Sequence, residues 1–158
     1  MNINIICVGK IKERYFTAAI DEYAKRLSRF AKVNIIEVRD EKIPDNASQK
    51  EEEAIKVKEG AAILSKLRDC DYVIAMCVDG KQLDSVELSQ RLDAAAMSAS
   101  TIDFIIGGSL GLSDEVKQRA ALRLSFGKIT LPHQLMRVVL TEQIYRAFKI
   151  SRGETYHK

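Results

Sequence analysis

Apolar residues follow two different spacings along the chain, and their alternation predicts a repeating order of strands and helices. Short, β-favouring apolar runs predict strands at 2–8, 32–38, 71–78, 101–106 and 122–126. Apolar residues at helical spacing predict helices at 12–29, 50–67, 84–97 and 133–150, and a shorter helix follows Ser113. Strands that alternate with helices are typical of an α/β fold, in which helices on both faces cover a mostly parallel sheet.

The ends of the central strands are where we expect a ligand site. The runs 71–78 and 101–106 are apolar on both faces, which favours the interior of a parallel sheet. We expect the first run to end at Asp79-Gly80. In an open α/β sheet, ligands bind beyond the carboxyl ends of the strands. Three such places stand out: the turn after Met76, the glycine loop 107–111, and the loop from Phe126 to Leu131.

The glycine loop does not match the common phosphate-binding motifs. Gly107-Gly108-Ser109-Leu110-Gly111 lacks the spacing of a dinucleotide-binding loop and the lysine of a P-loop. The next helix opens with Asp114 and Glu115, and these acids would repel a phosphate from its N–H groups. A neutral or cationic ligand without phosphate, such as S-adenosylmethionine, would suit the loop. A tight strand-to-helix turn explains the glycines equally well.

Length and composition restrict the remaining classes. A chain of 158 residues predicts one domain, 1–158. No signal pattern and no apolar stretch of about 20 residues is present, so we expect a cytoplasmic protein that does not span a membrane. The three cysteines and two histidines lack metal-site spacing, so we expect no bound metal. Cys7 and Cys77 lie in apolar runs and are expected to be buried.

Positive charge is concentrated near the two ends of the sequence. The net charge is only +3, but segment 10–32 holds seven Lys or Arg against three acids. Segment 128–158 holds six against two. This distribution favours a surface for a polyanion such as RNA, with solvated helix faces as the alternative.

The last predicted helix, 133–150, is apolar around most of its circumference, so it should be buried on both sides. The second side contacts either another copy of the protein or a neighbouring element of the same subunit. Within this helix we expect an ion pair between Glu142 and either Arg137 or Arg146.

Several motifs together resemble one known family. They are Val8-Gly9-Lys10, Gly107-Gly108-Ser109-x-Gly111, Leu124-Ser125-Phe126, the stretches 132–138 and 142–147, Arg152-Gly153-Glu154 and Tyr156-His157-Lys158. Over essentially its whole length the chain resembles the ribosomal large-subunit methyltransferase H family of small SPOUT-class enzymes. The resemblance implies a SPOUT-type fold with a C-terminal trefoil knot and a homodimer. It also implies methyl transfer from S-adenosylmethionine to N3 of a pseudouridine in 23S rRNA of the assembled ribosome.

The resemblance also implies roles for individual residues. The cofactor contacts would come from Met76, Gly107, Phe126, Gly127, Lys128, Ile129, Thr130 and Leu131, which lie at the same three strand ends. His157 is the candidate base, because an imidazole can be neutral at cell pH. Tyr156 would stack on the target base or hydrogen-bond to it, unless the tail is disordered. Arg137, Arg152 and Lys158 would hold RNA phosphate, with a dimer contact as the alternative for Arg137; His133 is expected to be structural.

Three other functions stay open at this point. A non-catalytic ribosome-associated factor could share the fold and the basic surface. A nucleotide-binding α/β enzyme is disfavoured by the missing lysine and the acidic helix start. A tRNA methyltransferase of the same class usually carries an added RNA-binding domain, for which 158 residues leave no room.

Overall fold

The computed structural model describes all 158 residues and contains five strands and five helices. Along the chain they are β1 (Asn2–Val8), α1 (Arg14–Leu27), β2 (Lys32–Val38), α2 (Gln49–Leu64), β3 (Tyr72–Gln82), α3 (Ser85–Ala96), β4 (Thr101–Ile106), α4 (Asp114–Arg119), β5 (Leu122–Ser125) and α5 (His133–Ser151). The predicted order of strands and helices is confirmed, with shifts of a few residues at element ends.

The five strands form one parallel sheet in the order β2-β1-β4-β3-β5. All six residues of β4 are buried, as the apolar run predicted for an interior strand. The predicted α/β fold with a mostly parallel sheet is therefore confirmed. Since all the strands run the same way, their carboxyl ends lie at one edge, where ligands bind in such folds.

Helices cover both faces of the sheet, also as predicted. On one face, Phe104 of β4 belongs to a core cluster with residues of α1, α3 and α5, including Leu140. On the other face, Ile105 belongs to a cluster with Ile63 of α2 and Val116 of α4. Successive residues of a strand point to opposite faces, so each strand contributes to both clusters.

Strand β3 is longer than the sequence predicted. It continues through Asp79-Gly80 to Gln82, with a register shift between Met76 and Lys81 where it pairs with β5. A Cβ on the glycine would lie 2.8 Å from the carbonyl carbon and oxygen of Arg123. The predicted strand end was wrong because this glycine permits a close backbone crossing instead of ending the strand.

A row of polar side chains, half-buried at Asn34 and Asn4 and fully buried at Asp103, crosses three strands on the α2 side. Asn34 Nδ2 donates to Asn4 Oδ1 at 2.9 Å, and Asn4 Nδ2 donates to Asp103 Oδ1 at 2.7 Å. Asp103 has no exposed surface, and its Oδ2 has no hydrogen-bond partner. Burial, with a contribution from the neighbouring Asp71 carboxylate, raises the pKa of Asp103 from 3.8 to about 6. The folded state therefore holds this proton more tightly than the unfolded chain does.

No helix in the chain combines the length and apolar character needed to cross a membrane.

The Asp103 carboxyl gives a pH-dependent contribution to stability. Because its pKa is raised in the folded state, stability should fall as pH rises from about 4 through about 6. The Asp103→Asn variant keeps an acceptor for Asn4 and can donate to Asp71. It should therefore be more stable than the wild type near pH 8 by about 2 kcal/mol, with little difference near pH 4. Urea unfolding at the two pH values measures this.

The matched control is Asp69→Asn, which removes the same charge from an exposed position. We expect it to leave the pH dependence of the wild type unchanged. An Asp103→Asn effect of equal size at both pH values would contradict the raised pKa.

Candidate functional site

A cavity of about 710 Å³ opens at the carboxyl ends of β4 and β5 and beside β3, where β3 stops pairing with β4. This volume lies within the range of small-molecule and cofactor sites. The residues that line it are Met76 to Asp79 of β3, just past the last pair with β4, Ile106 to Leu112 at the end of β4, Leu124 to Gly127 and Ile129 to His133 around the β5 loop, Lys117 of α4 and Met136 of α5. The three strand ends that the sequence singled out thus meet in one cavity.

Most of the residues predicted to bind the cofactor lie in this lining. They are Met76, Gly107, Phe126, Gly127, Ile129, Thr130 and Leu131. Lys128 is exposed and does not line the cavity. The structure brings the predicted set together, while the contact of each residue with a ligand stays a prediction.

Sequence reasoning missed several apolar lining residues and one basic one. They are Ile106, Leu110, Leu112, Leu124, Pro132, Met136 and Lys117. Most of them stand next to the predicted loops in sequence, a signal that could have found them. Met136 lies one helical turn after Pro132, so the start of α5 forms one wall.

The glycine loop turns back on itself at the end of β4. Gly111 N–H donates to the carbonyl oxygen of Gly108 at 3.1 Å. A Cβ on Gly107 would lie 3.0 Å from the carbonyl carbon of Gly111 and from Leu112 Cδ2. A side chain at 107 would therefore need the Gly111 backbone or Leu112 to shift by a few tenths of an ångström, and the loop backbone lines the cavity directly.

The β5 loop is tied to β3 by one hydroxyl. Ser125 Oγ accepts a hydrogen bond from Gly127 N–H at 3.1 Å and lies 2.9 Å from the carbonyl oxygen of Val78. Gly127 has a φ of +127°, which favours glycine. This arrangement fixes two of the three cavity walls relative to each other.

Few charges face the cavity. Its ionisable lining residues are Cys77, Asp79, Lys117 and His133. Burial raises the pKa of the Cys77 thiol, so this group is neutral at pH 7. Helix α4 is capped by Ser113, whose Oγ accepts from Val116 N–H at 3.4 Å, and opens with Asp114 and Glu115. The predicted acidic helix start is confirmed, and it disfavours a phosphate at this loop.

Tyr156 packs against α5. Its hydroxyl donates to Glu142 Oε1 at 3.0 Å, and its ring meets that of Tyr145 edge-on at 4.9 Å. The Arg146 guanidinium lies 4.7 Å from the centre of the Tyr156 ring. Burial and the Glu142 carboxylate raise the pKa of Tyr156 to about 12, so this phenol keeps its proton.

His157 contacts the same arginine. The two closest atoms are His157 Nδ1 and Arg146 Nη1, which are 3.3 Å apart. A guanidinium can only donate, so Nδ1 accepts and a neutral ring carries its proton on Nε2. Arg146 also binds Glu142 at 2.6 Å, so the predicted ion pair within this helix is confirmed for Arg146.

The tail lies away from the cavity of its own chain. Met136, which lines the cavity, precedes Arg146 by ten residues of α5, a separation of about 15 Å along the helix axis. Neither Tyr156 nor His157 lines the cavity, and Arg152 and Lys158 are exposed to solvent. The chain does not bring its predicted catalytic residues next to its own predicted cofactor residues.

Arg137 has a different position from the one the sequence suggested. Its side chain has no exposed surface, and Nη2 donates to the carbonyl oxygens of Val8 and Gly9 at 3.2 and 2.8 Å. Its closest carboxylate is Glu37, at 3.8 Å from Nη1, not Glu142. The guanidinium thus fastens α5 to the end of β1, and the phosphate contact of Arg137 stays a prediction that would require it to leave these carbonyl groups.

The two basic segments come close together in space. Helix α1 carries much of the first segment and packs against α5, which carries much of the second. Part of this charge is neutralised, because Arg26 binds Glu22 at 2.7 Å and Lys149 binds Glu154. No group of three or more His, Cys, Asp or Glu side chains has a metal-binding arrangement.

Comparisons with known proteins identify the family of the chain and agree with its fold. The family described as "Predicted SPOUT methyltransferase" matches residues 1–157. The ribosomal RNA large subunit methyltransferase H of Clostridium novyi is 58% identical, and that of Leuconostoc mesenteroides is 57% identical; both matches cover 100% of each chain.

A solved structure from Haemophilus influenzae, a "probable methylase family protein", superposes with a TM-score of 0.54 at 13% identity. The match covers 99% of this chain and 70% of that chain, and at this identity it shows the fold alone. The chain therefore belongs to the SPOUT methyltransferase family and, within it, to the ribosomal RNA large subunit methyltransferase H family.

Proposed function

We propose that this chain transfers a methyl group from S-adenosylmethionine to N3 of a pseudouridine in 23S rRNA, acting as a homodimer on the assembled ribosome in the cytoplasm. Family membership supports methyl transfer, and the names of full-length relatives support rRNA of the large subunit as the substrate. The observation that carries the proposal is the cavity at three strand ends, beside a helix that begins with two acids.

The lining suits this cofactor. S-adenosylmethionine would supply an activated methyl group on a positively charged sulfur when bound. The apolar side chains of Met76, Phe126 and Leu131 offer surfaces for an adenine ring, and the backbone of the two loops offers hydrogen bonds. Lys128, whose side chain points to solvent, would contribute through its backbone alone.

The protein's main task on this proposal is alignment, which can remove several kcal/mol of barrier. The target base loses its N3 proton as N3 takes the methyl group, so the site needs a proton acceptor. We assign this role to His157, with Tyr156 stacking on the base. His157 Nδ1 accepts from Arg146, so the ring must leave Arg146 before that nitrogen can take a proton.

A homodimer would bring the tail to a cavity. Leu135, Val138 and Val139 form a half-exposed apolar face on α5. Packing this face against a second copy would bury it and would allow the tail of one subunit to meet the cavity of the other. The trefoil knot implied by the family remains part of the proposal. Exposed Arg152 and Lys158 would hold RNA phosphate beside the target nucleotide.

The cofactor assignment predicts a defined loss of binding in the glycine loop. In Gly107→Ala the new methyl group meets Gly111 and Leu112 at 3.0 Å, so the loop must shift. Isothermal titration should show S-adenosylmethionine binding weakened by roughly tenfold or more. Ser109→Ala, which removes a hydroxyl from the same loop, should bind within about twofold of wild type. If the wild type binds no S-adenosylmethionine, the protein is a non-catalytic ribosome factor and the proposal fails.

The tail assignment predicts complementation between subunits. Deletion of Tyr156 to Lys158 should abolish methyl incorporation into ribosomes and leave cofactor binding unchanged. Mixing this deletion protein with Gly107→Ala subunits and allowing them to exchange should restore about a quarter of wild-type activity, because half of the dimers gain one complete site. Full activity of the deletion protein would remove the tail from the mechanism, and absence of complementation would contradict a site shared between subunits.

A further inference from the structure

A second cleft of about 760 Å³ lies at the carboxyl ends of β1 and β2. It shares Gly108, Ser109 and His133 with the cavity at the ends of β3, β4 and β5. The two spaces therefore adjoin across the glycine loop and the first residue of α5. None of the residues predicted to bind the cofactor lines this cleft.

A buried carboxyl group faces the cleft. Glu59 of α2 is only 6% exposed, and Oε2 accepts one hydrogen bond, from Glu41 N–H at 3.1 Å. The other oxygen, Oε1, has no hydrogen-bond partner within the chain. This oxygen opens into the cleft without a donor from the chain, so it is free to accept an N–H group from a ligand.

The position of Glu59 is fixed by close packing on both sides. A Cβ on the next residue, Gly60, would lie 2.3 Å from Ser113 Oγ, so α2 approaches the start of α4 as closely as glycine allows. A Cβ on Gly108 would lie 3.3 Å from Glu59 Oε1. The free carboxyl oxygen thus sits directly behind the loop that separates the cleft from the cavity.

Four exposed cations stand around the rim of the cleft, together with the exposed acid Asp40. The cations are Lys10, Lys12, Arg39 and Lys42. Two of the acids in the lining are already offset by cations: Glu41 binds Lys58 at 3.2 Å, and Glu37 lies 3.8 Å from Arg137. The cations on the rim outnumber the acid left without a cation, Asp40, and the free Glu59 oxygen lies deeper in the cleft. The cleft therefore suits a ligand with phosphate groups at the rim and an N–H group inside.

We propose that this cleft binds the nucleotide that receives the methyl group, with Glu59 Oε1 accepting the N1–H of its pseudouridine base and the rim cations holding the adjacent phosphates. N1 of a pseudouridine carries a hydrogen, whereas N1 of a uridine is bonded to the ribose. N1 and N3 flank the same carbonyl carbon, so a base held by N1 beside the glycine loop keeps N3 close to the cavity. Glu59 is thereby the residue that distinguishes pseudouridine from uridine.

This inference rests on the proposed function, and the experiment keeps the two apart. Ribosomes with pseudouridine or uridine at the target position are the substrates, and the wild type must transfer methyl groups for the proposed function to hold. Glu59→Gln should bind S-adenosylmethionine within about twofold of wild type. In this variant Glu41 N–H holds the amide oxygen, so the NH2 group faces the cleft and cannot accept N1–H, and kcat/KM on pseudouridine should fall by roughly tenfold to a hundredfold. Its preference for pseudouridine over uridine should be lost.

The control Glu51→Gln removes the same charge from an exposed position of α2 and should retain the wild-type preference. A preference that survives in Glu59→Gln would overturn the assignment. A loss of S-adenosylmethionine binding in a folded Glu59→Gln protein would also overturn it, because the carboxylate would then serve the ammonium group of the cofactor.

A second variant tests the cleft independently, in case Glu59→Gln does not fold. Lys12→Ala with Arg39→Ala changes only exposed side chains and should raise KM for ribosomes, leave kcat unchanged and flatten the salt dependence of KM. An unchanged KM in this double variant would show that the cleft does not hold RNA.

Discussion

Close backbone approach at one edge of the sheet is the constraint on which the candidate site depends. Because Gly80 has no side chain, β3 can cross the backbone of Arg123 at a distance that a Cβ atom would not permit. Gly107 likewise lets the loop after β4 fold closely onto Gly111. These two contacts bring the ends of three parallel strands together around one space. A cavity walled largely by backbone and apolar side chains binds by shape and hydrogen bonds, and it needs few charges.

The sequence predicted the layers and the cavity well because both depend on local patterns. Apolar runs and helical spacing decide which face of each element is buried, and parallel strands place their following loops at one edge. It failed where a residue's role depends on what approaches it from far along the chain. Gly80 resembled a strand end, but its role follows from the distant β5 backbone.

The same limit applies to the predicted partner of the Arg137 guanidinium. The position of Arg137 among apolar residues of α5 suggested a partner on its own helix, and Arg146 takes that partner instead. The carbonyl groups that bind Arg137 belong to Val8 and Gly9, more than a hundred residues earlier, and no pattern within α5 indicates them. The buried carboxyl of Glu59 escaped notice for a related reason, because it stands in a charged helix whose outer face is solvated.

The arrangement of the site divides the proposed reaction among three regions. The cavity is suited to the methyl donor and the adjoining cleft to the acceptor nucleotide. The tail, which Tyr156 and Arg146 fasten to α5, would supply the proton acceptor from a second subunit. Within one chain, Arg146, which contacts the tail, lies about 15 Å along the α5 axis from Met136, which lines the cavity, so a single subunit does not bring all three regions together.

The most direct measurement is a crystal structure of the protein grown with S-adenosylmethionine. The account predicts that the molecule lies between the β3 end, the glycine loop and the β5 loop, in contact with Gly107 and the backbone of 126–131, with its methyl group directed toward the cleft that Glu59 lines. A molecule bound elsewhere, or a cavity that stays empty at saturating cofactor, would contradict the central claim.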